Sequence, residues 1–72
     1  EDSSLSEEFR AGLKKAIEEL PPAFRATFSL VVGQEMSHKE AAEVLGCSEG
    51  TVSWRMHEAR KMLKKKLQPF LT

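Results

Sequence analysis

The sequence predicts an all-α domain of four helices, the last two of which form a helix-turn-helix. Apolar residues recur at three- and four-residue steps along the chain, which is the period of an amphipathic helix. Residues that favour helix starts and helix ends divide the chain into four such segments. No segment alternates polar and apolar residues, so no strand is predicted. With 72 residues the chain is expected to form a single small domain over 1–72.

The first helix is predicted from about Leu5 to Leu20. Ser4 and Glu7 have the spacing of a capping box, and Pro21 ends the helix because a residue before proline avoids helical backbone angles. Its apolar stripe consists of Leu5, Phe9, Leu13, Ala16, Ile17 and Leu20. Residues 1–19 are expected to be either the first helix of the domain or the end of a linker. The chain opens without Met, which suggests a fragment of a longer protein.

The second helix is predicted to begin at Pro22, because proline suits a first helical position. Gly33 is the expected C-cap, since glycine adopts the left-handed conformation that often ends a helix. The predicted buried face consists of Phe24, Phe28, Val31 and Val32.

The third and fourth helices have the clearest starts. Ser37 and Glu40 form a second capping box, with Met36 placed to pack on Ala41, and the short third helix ends at Gly46. Ser48 is the predicted N-cap of the fourth helix, which runs to about Gln68 before Pro69 stops it. Its inner stripe consists of Val52, Met56, Ala59, Leu63 and Leu67. The tail 70–72 either folds back on the core or leads into further sequence.

Residues 38–60 have the spacing of a helix-turn-helix. Ala42 is small where two helices would cross, and Gly46 follows four residues later, where the chain would leave the helix in a left-handed conformation. Val52, six residues further on, would pack back on the first helix of the pair. Together with two capped helix starts and a basic second helix, this spacing favours DNA binding over a plain helical hairpin.

Charge is distributed unevenly although its sum is zero. Residues 1–43 hold nine acidic and five basic groups, a balance of −4, whereas residues 44–72 hold two acidic and six basic groups, a balance of +4. The basic end, residues 61–72, suits a polyanion on that side. Lysines at a helix C-terminus also complement the helix dipole, so the charge alone leaves both interpretations open.

The outer face of the fourth helix supplies the candidate DNA contacts, because the N-terminal part of such a helix meets base edges. The residues predicted to read bases are Glu49, Thr51, Ser53, Trp54, His57 and Glu58. Those predicted to meet phosphates are Ser48, Arg55, Arg60, Lys61, Lys64 and Lys65, with the free N–H groups at the helix start assisting.

Several of these residues have a structural alternative. Trp54 is as well suited to packing on a partner protein or across its own helix. Glu58 is more simply explained as balancing Arg55 or Lys61 along the helix than as accepting a hydrogen bond from cytosine. Arg55 is expected to pair with Glu40 or Glu43 across the two helices. The two histidines and Cys47 are expected to be ordinary surface and half-buried residues.

Composition argues against other function classes. No nucleophile and base are paired in a recognisable motif, no metal-ligand set or cofactor motif is present, and no glycine-rich loop suits a phosphate. The prediction is therefore no catalytic residue, no metal and no cofactor. One cysteine and the lack of a long apolar run predict a reducing compartment and no membrane insertion.

Residues 20–67 resemble region 4, the −35-binding domain of bacterial RNA polymerase sigma factors, and most of all its extracytoplasmic-function (ECF) group. The resemblance is carried by the segments Leu20-Pro21-Pro22, Glu40-Ala41-Ala42, Leu45-Gly46-Cys47, Gly50-Thr51-Val52 and Arg55-Met56, with Arg25, Met36-Ser37 and Ala59-Arg60. It implies a winged-helix-like arrangement without strands, in the bacterial cytoplasm.

This resemblance also implies partners: the −35 element of promoter DNA in its major groove, the β-subunit flap of core RNA polymerase, and an anti-sigma factor. Members often carry basic residues at the positions of Ser53 and Glu58, and here one is neutral and the other acidic. An unusual −35 sequence or a weaker hold on DNA would follow.

Two other functions stay open at this stage. One is a sigma mimic whose partner is an anti-sigma factor and not DNA, favoured by Glu49 and Glu58 on the outer face. The other is the output domain of a two-component regulator, which has a similar run over residues 39–52, although Arg55-Met56 and Ala59-Arg60 fit sigma factors better.

Overall fold

A computed structural model of the chain describes residues 6–71, and their side chains as far as Phe70. This part of the chain is helical and contains no strand, which confirms the predicted all-α class. Its elements are α1 Glu7–Glu18, α2 Pro22–Phe28, a π-helical turn Ser29–Gly33, α3 His38–Leu45, α4 Glu49–Lys66 and α5 Gln68–Leu71.

Helix α1 begins two residues later than predicted. Ser6 has an extended backbone (φ −72°, ψ 161°) and is the N-cap, its hydroxyl accepting from the Phe9 N–H at 3.1 Å. A start at Leu5 is therefore wrong, and the capping role given to Ser4 lies outside the described residues. The helix ends at Glu18, two residues before the predicted Leu20, and the extended Pro21 then leads into α2.

The end of α2 differs from the prediction. The helix passes into a π turn closed by the Gln34 N–H on the Ser29 carbonyl at 3.0 Å, so Gly33 lies inside this turn and is not a C-cap. The left-handed residue is Glu35, with φ 55°. Because the π turn rotates the chain, Val32 is 49% exposed and does not belong to the buried face. Thr27 lies there instead, with no exposed surface.

Helix α4 is the centre of the fold because it passes through both groups of buried residues. Near its start, Val52 and Met56 pack with Ala41 and Ala42 of α3. Further along, the core consists of Ala59 and Leu63 of α4 with Ala16 of α1 and the buried Leu20. Phe28 of α2 contacts both groups and joins them.

The chain folds back after α4. The helix ends at Lys66, two residues before the predicted Gln68, and Pro69 lies inside the short α5. The Phe70 ring meets the Phe9 ring edge-on, with centroids 6.1 Å apart, and Lys66 Nζ pairs with Glu19 Oε1 at 3.1 Å. The described part of the tail thus lies against α1.

Candidate nucleic-acid interface

The first helix of the predicted helix-turn-helix is fixed at its start by the capping box. The Glu40 N–H donates to Ser37 Oγ at 3.0 Å, and the Ser37 N–H donates to Glu40 Oε1 at 2.9 Å. Both donors would otherwise be unpaired at a helix start, so this reciprocal pair stabilises a helix of only eight residues.

The turn between α3 and α4 has the predicted geometry. Gly46 is left-handed (φ 70°, ψ 36°), and the Ala42 carbonyl accepts from the Cys47 N–H at 3.0 Å. Ala42 and Val52 are 6% and 0% exposed, as expected for the contact between the two helices. The helix-turn-helix prediction is confirmed.

The start of α4 is stabilised by its own side chains. Ser48 Oγ accepts from the Thr51 N–H at 3.0 Å and lies 2.9 Å from Thr51 Oγ1. Both hydroxyl groups therefore have an internal partner, which fixes the first turn of the helix. The N–H groups at this exposed end point away from the body of α4.

The outer side of α4 carries the predicted contact residues. Ser48 and most of the predicted contact residues on α4 are exposed, and the three half-buried ones lie beside the inner stripe. The exposed helix residues are Glu49, Ser53, Trp54, His57, Arg60, Lys61, Lys64 and Lys65, and the half-buried ones are Thr51, Arg55 and Glu58.

Two residues on this side are held by neighbouring helices. Trp54 is 56% exposed, and its ring meets the Phe24 ring of α2 edge-on at a centroid distance of 5.5 Å. Ser53 Oγ lies 2.8 Å from Nδ1 of His38, the first residue of α3. The expectation that His38 is an ordinary surface residue misses this bond, because a partner 15 positions away has no local sequence signal.

Some basic side chains of α4 have partners within the domain, and others stay exposed. Lys61 Nζ lies 3.8 Å from Glu58 Oε2 one turn earlier, as the simpler interpretation of Glu58 predicted. The predicted pairing of Arg55 with Glu40 or Glu43 is wrong, since its Nη1 turns to Cys47 Sγ at 3.9 Å. The Glu40 carboxylate instead accepts from the Ser37 N–H in the capping box. Lys64 and Lys65 stay exposed, whereas Lys66 is paired with Glu19.

Other kinds of site have little support in the part of the chain that is described. Over residues 6–71, no three His, Cys, Asp or Glu side chains gather in a group that would hold a metal ion. No helix in this range is long and apolar enough to cross a membrane.

The helix-turn-helix and its flanking helices match a known family. The sequence profile described as Sigma-70, region 4 matches residues 10–63. The chain belongs to this family. The match includes α2, α3 and the turn that joins α3 to α4, together with most of α1 and α4.

Whole sigma factors contain stretches similar to this region 4 chain. The ECF RNA polymerase sigma-E factors of Escherichia coli strain K12 and Salmonella typhimurium are 35% identical to it over 71 residues. The RNA polymerase sigma-H factor of Pseudomonas aeruginosa is 34% identical over the same length. Each alignment covers 99% of this chain and 37% of the relative, so the chain spans little more than a third of these proteins.

Proposed function

We propose that this domain reads the −35 element of promoters, as the part of a sigma factor that directs core RNA polymerase to initiate transcription. The observation that carries the proposal is the two-sided α4. Val52, Met56 and Ala59 on its inner side have no exposed surface, whereas its outer side is largely exposed and, apart from Trp54, mostly polar or charged. A helix held in this way behind a tight turn can enter a major groove without disturbing the fold.

The proposed contacts divide by position along α4. Near its start, base edges are met by Glu49, Thr51, Ser53, Trp54, His57 and Glu58. Phosphates are met at the helix start by Ser48 and further along by Arg55, Arg60, Lys61, Lys64 and Lys65. Because the Ser48 hydroxyl caps the helix, its phosphate contact would come from the neighbouring N–H groups.

The protein partners belong to the same proposal. The relatives are RNA polymerase sigma factors by name, which supports binding to core RNA polymerase, with the β-subunit flap as the contact. An anti-sigma factor is proposed as a further partner. No cofactor is needed for any of these interactions, and no enzymatic activity is proposed.

A protein-binding function is the second candidate, in which the domain mimics a sigma factor and binds an anti-sigma factor. Two observations favour it. Glu58 lies close enough to Lys61 to reduce the positive charge on the outer side of α4. Val44 is 60% exposed and Trp54 is 56% exposed, which is apolar surface that a protein partner would cover.

The first experiment is selection of binders from randomised DNA duplexes with the 72-residue chain, followed by a salt titration on the best duplex. We expect a consensus sequence and an affinity that falls steeply with salt. Lys61→Ala is expected to weaken binding to all duplexes alike and to reduce the salt slope by about one.

Lys15→Ala is the control, because it removes the same single positive charge from a different helix. Lys15 lies on α1, beside Glu19 and Phe70, and not on α4. It should leave both the consensus and the salt slope unchanged. Failure to enrich any sequence at low salt would contradict promoter reading, and capture of an anti-sigma factor by the chain would then support the second candidate. An equal effect of the two lysine variants would contradict the assignment of the DNA side.

A further inference from the structure

One side-chain hydrogen bond joins the start of α3 to the outer side of α4. His38 Nδ1 and Ser53 Oγ are 2.8 Å apart. His38 is half-buried at the first position of α3, directly after the capping Ser37. Ser53 is exposed, next to Trp54 on the side of α4 proposed to meet base edges. The bond therefore links a residue outside the proposed contact set to one inside it.

A serine hydroxyl has one proton to donate and two lone pairs that accept. A serine without a partner can rotate, so it can donate to a base carbonyl or ring nitrogen and can equally accept from a base amino group. The contact with His38 restricts this freedom in a way that depends on which of the two atoms carries the shared proton. If Nδ1 accepts the hydroxyl proton, only lone pairs remain for the base, whereas an Nδ1–H that donates to Oγ would leave the hydroxyl proton free.

We propose that His38 is a positioning residue for base recognition, an inference that rests on the function proposed above. Its Nδ1 accepts the Ser53 hydroxyl proton, the neutral ring carries its own proton on Nε2, and Ser53 Oγ is left as an acceptor. On the edge of a base pair in the major groove, the donors are the N6 amino group of adenine and the N4 amino group of cytosine. Ser53 thus selects adenine or cytosine at one position of the recognised sequence.

Two substitutions at His38 separate this role from simple packing. In His38→Asn, the amide oxygen takes the place of Nδ1 and can accept the same proton. In His38→Gln, the amide lies one carbon further out, nearer the place of Nε2, and cannot. The two variants have similar polarity and no net charge, so a difference between them reports the acceptor position. Ser53→Ala removes the group that is positioned.

The experiment repeats the duplex selection with the wild-type chain and the three variants, after circular dichroism has shown equal helix content. We expect the wild type to prefer adenine or cytosine at one position, and Ser53→Ala to lose the preference at that position alone. His38→Gln should reduce discrimination against guanine and thymine there by roughly three- to tenfold, the range for one net hydrogen bond. His38→Asn should keep most of it.

A second measurement needs no DNA. The ring nitrogens of His38 in the free chain, observed by nitrogen-15 NMR, should show an unprotonated Nδ1 in the wild type. Ser53→Ala should change the Nδ1 signal, because its donor is gone. An Nδ1 that carries the proton would overturn the proposal whatever the duplex selection gives.

The outcomes of the selection separate this inference from the proposed function. Enrichment of one consensus with the same base preference in His38→Gln and the wild type would overturn the role of His38 and leave promoter reading intact. A preference for guanine or thymine at the Ser53-dependent position, or no such position, would do the same. A wild-type chain that enriches no sequence would overturn both.

Discussion

Thr27 is the one polar residue, among those described, that lies fully inside the core. Its hydroxyl donates to the Ala23 carbonyl one helical turn earlier at 2.8 Å, so the group is satisfied within α2. A hydroxyl with a local partner needs nothing from the rest of the core. Position 27 therefore requires the branched shape of the threonine side chain more than it requires the hydroxyl group.

Thr27→Val and Thr27→Ser are expected to separate shape from polarity. Valine keeps the branched shape, and the Ala23 carbonyl still belongs to the helix, so the variant should lose less than about 1 kcal/mol of unfolding free energy. Serine keeps the hydroxyl but removes a buried methyl group, which costs about 1 kcal/mol or more including the cavity. Urea unfolding of both variants measures the difference, and a larger loss in Thr27→Val would show that the hydroxyl bond dominates.

For single residues of α4, the sequence pattern predicts which side chains face outwards but not which neighbours they contact. The helical period alone places Trp54 and Ser53 away from Val52. Their partners, Phe24 and His38, depend on how α2 and α3 cross α4, and no local pattern encodes that. The same reason explains the error at Arg55, where spacing left two carboxylates open and the folded chain brings Nη1 within 3.9 Å of Cys47 Sγ.

Among the elements, the helix ends within the helix-turn-helix were predictable, whereas the start of α1 and the end of α2 were not. Ser37 with Glu40, Gly46 and Ser48 act within a few residues of their own position, and the structure confirms each of them. The end of α2 failed because the π turn carries the chain past Gly33 and reverses it at Glu35. That turn brings Leu30, Val31 and Met36 to the core around Val52, a long-range requirement that residues near Gly33 do not reveal.

The two glycines at these helix ends should respond oppositely to alanine. An added Cβ meets nothing within 4 Å at either position, so packing does not enter the comparison. Gly46 is left-handed, and Gly46→Ala should therefore cost about 1 kcal/mol of unfolding free energy. Gly33 has no positive φ, and Gly33→Ala should be neutral or stabilise by up to about 1 kcal/mol, because alanine favours helical backbone.

Urea unfolding midpoints of the two alanine variants test this contrast. Equal losses in both would contradict the different endings of α2 and α3. A destabilised Gly46→Ala chain with a stable Gly33→Ala chain would show that the tight turn before α4 depends on its glycine, as the geometry of the helix-turn-helix requires.

Across the whole molecule, α1 and α5 enclose the end of α4 that lies farthest from the turn. Lys66 pairs with Glu19, and the Phe70 ring lies against Phe9, so the acidic first part of the chain meets the basic end of α4. Both contacts involve half-exposed or exposed groups, and each is worth at most about 1 kcal/mol. These contacts lie at the end of α4, away from the outer side near its start. The proposed DNA-binding side is therefore separate from the packing of α1 and α5.

The contact between Gly12 of α1 and Phe70 of α5 allows the packing of α5 on α1 to be measured. A Cβ added at Gly12 would lie 2.7 Å from Phe70 Cε2, so an alanine there forces the ring to move. In a Phe70→Ala chain this obstacle is gone, and Gly12→Ala should stabilise by about 1 kcal/mol, the gain of alanine over glycine inside a helix. In the wild-type background the displaced ring should cancel most of that gain.

A double-mutant cycle of four chains, each unfolded in urea, gives the coupling between the two positions. We expect a coupling of about 0.5–1 kcal/mol, opposing alanine at position 12 only when the Phe70 ring is present. The same stabilisation in both backgrounds would mean that α5 does not rest on α1, and that α4 ends in a tail free of the core. A clear coupling would make α5 part of the domain, because its ring then contributes to the same cooperative unfolding as α1.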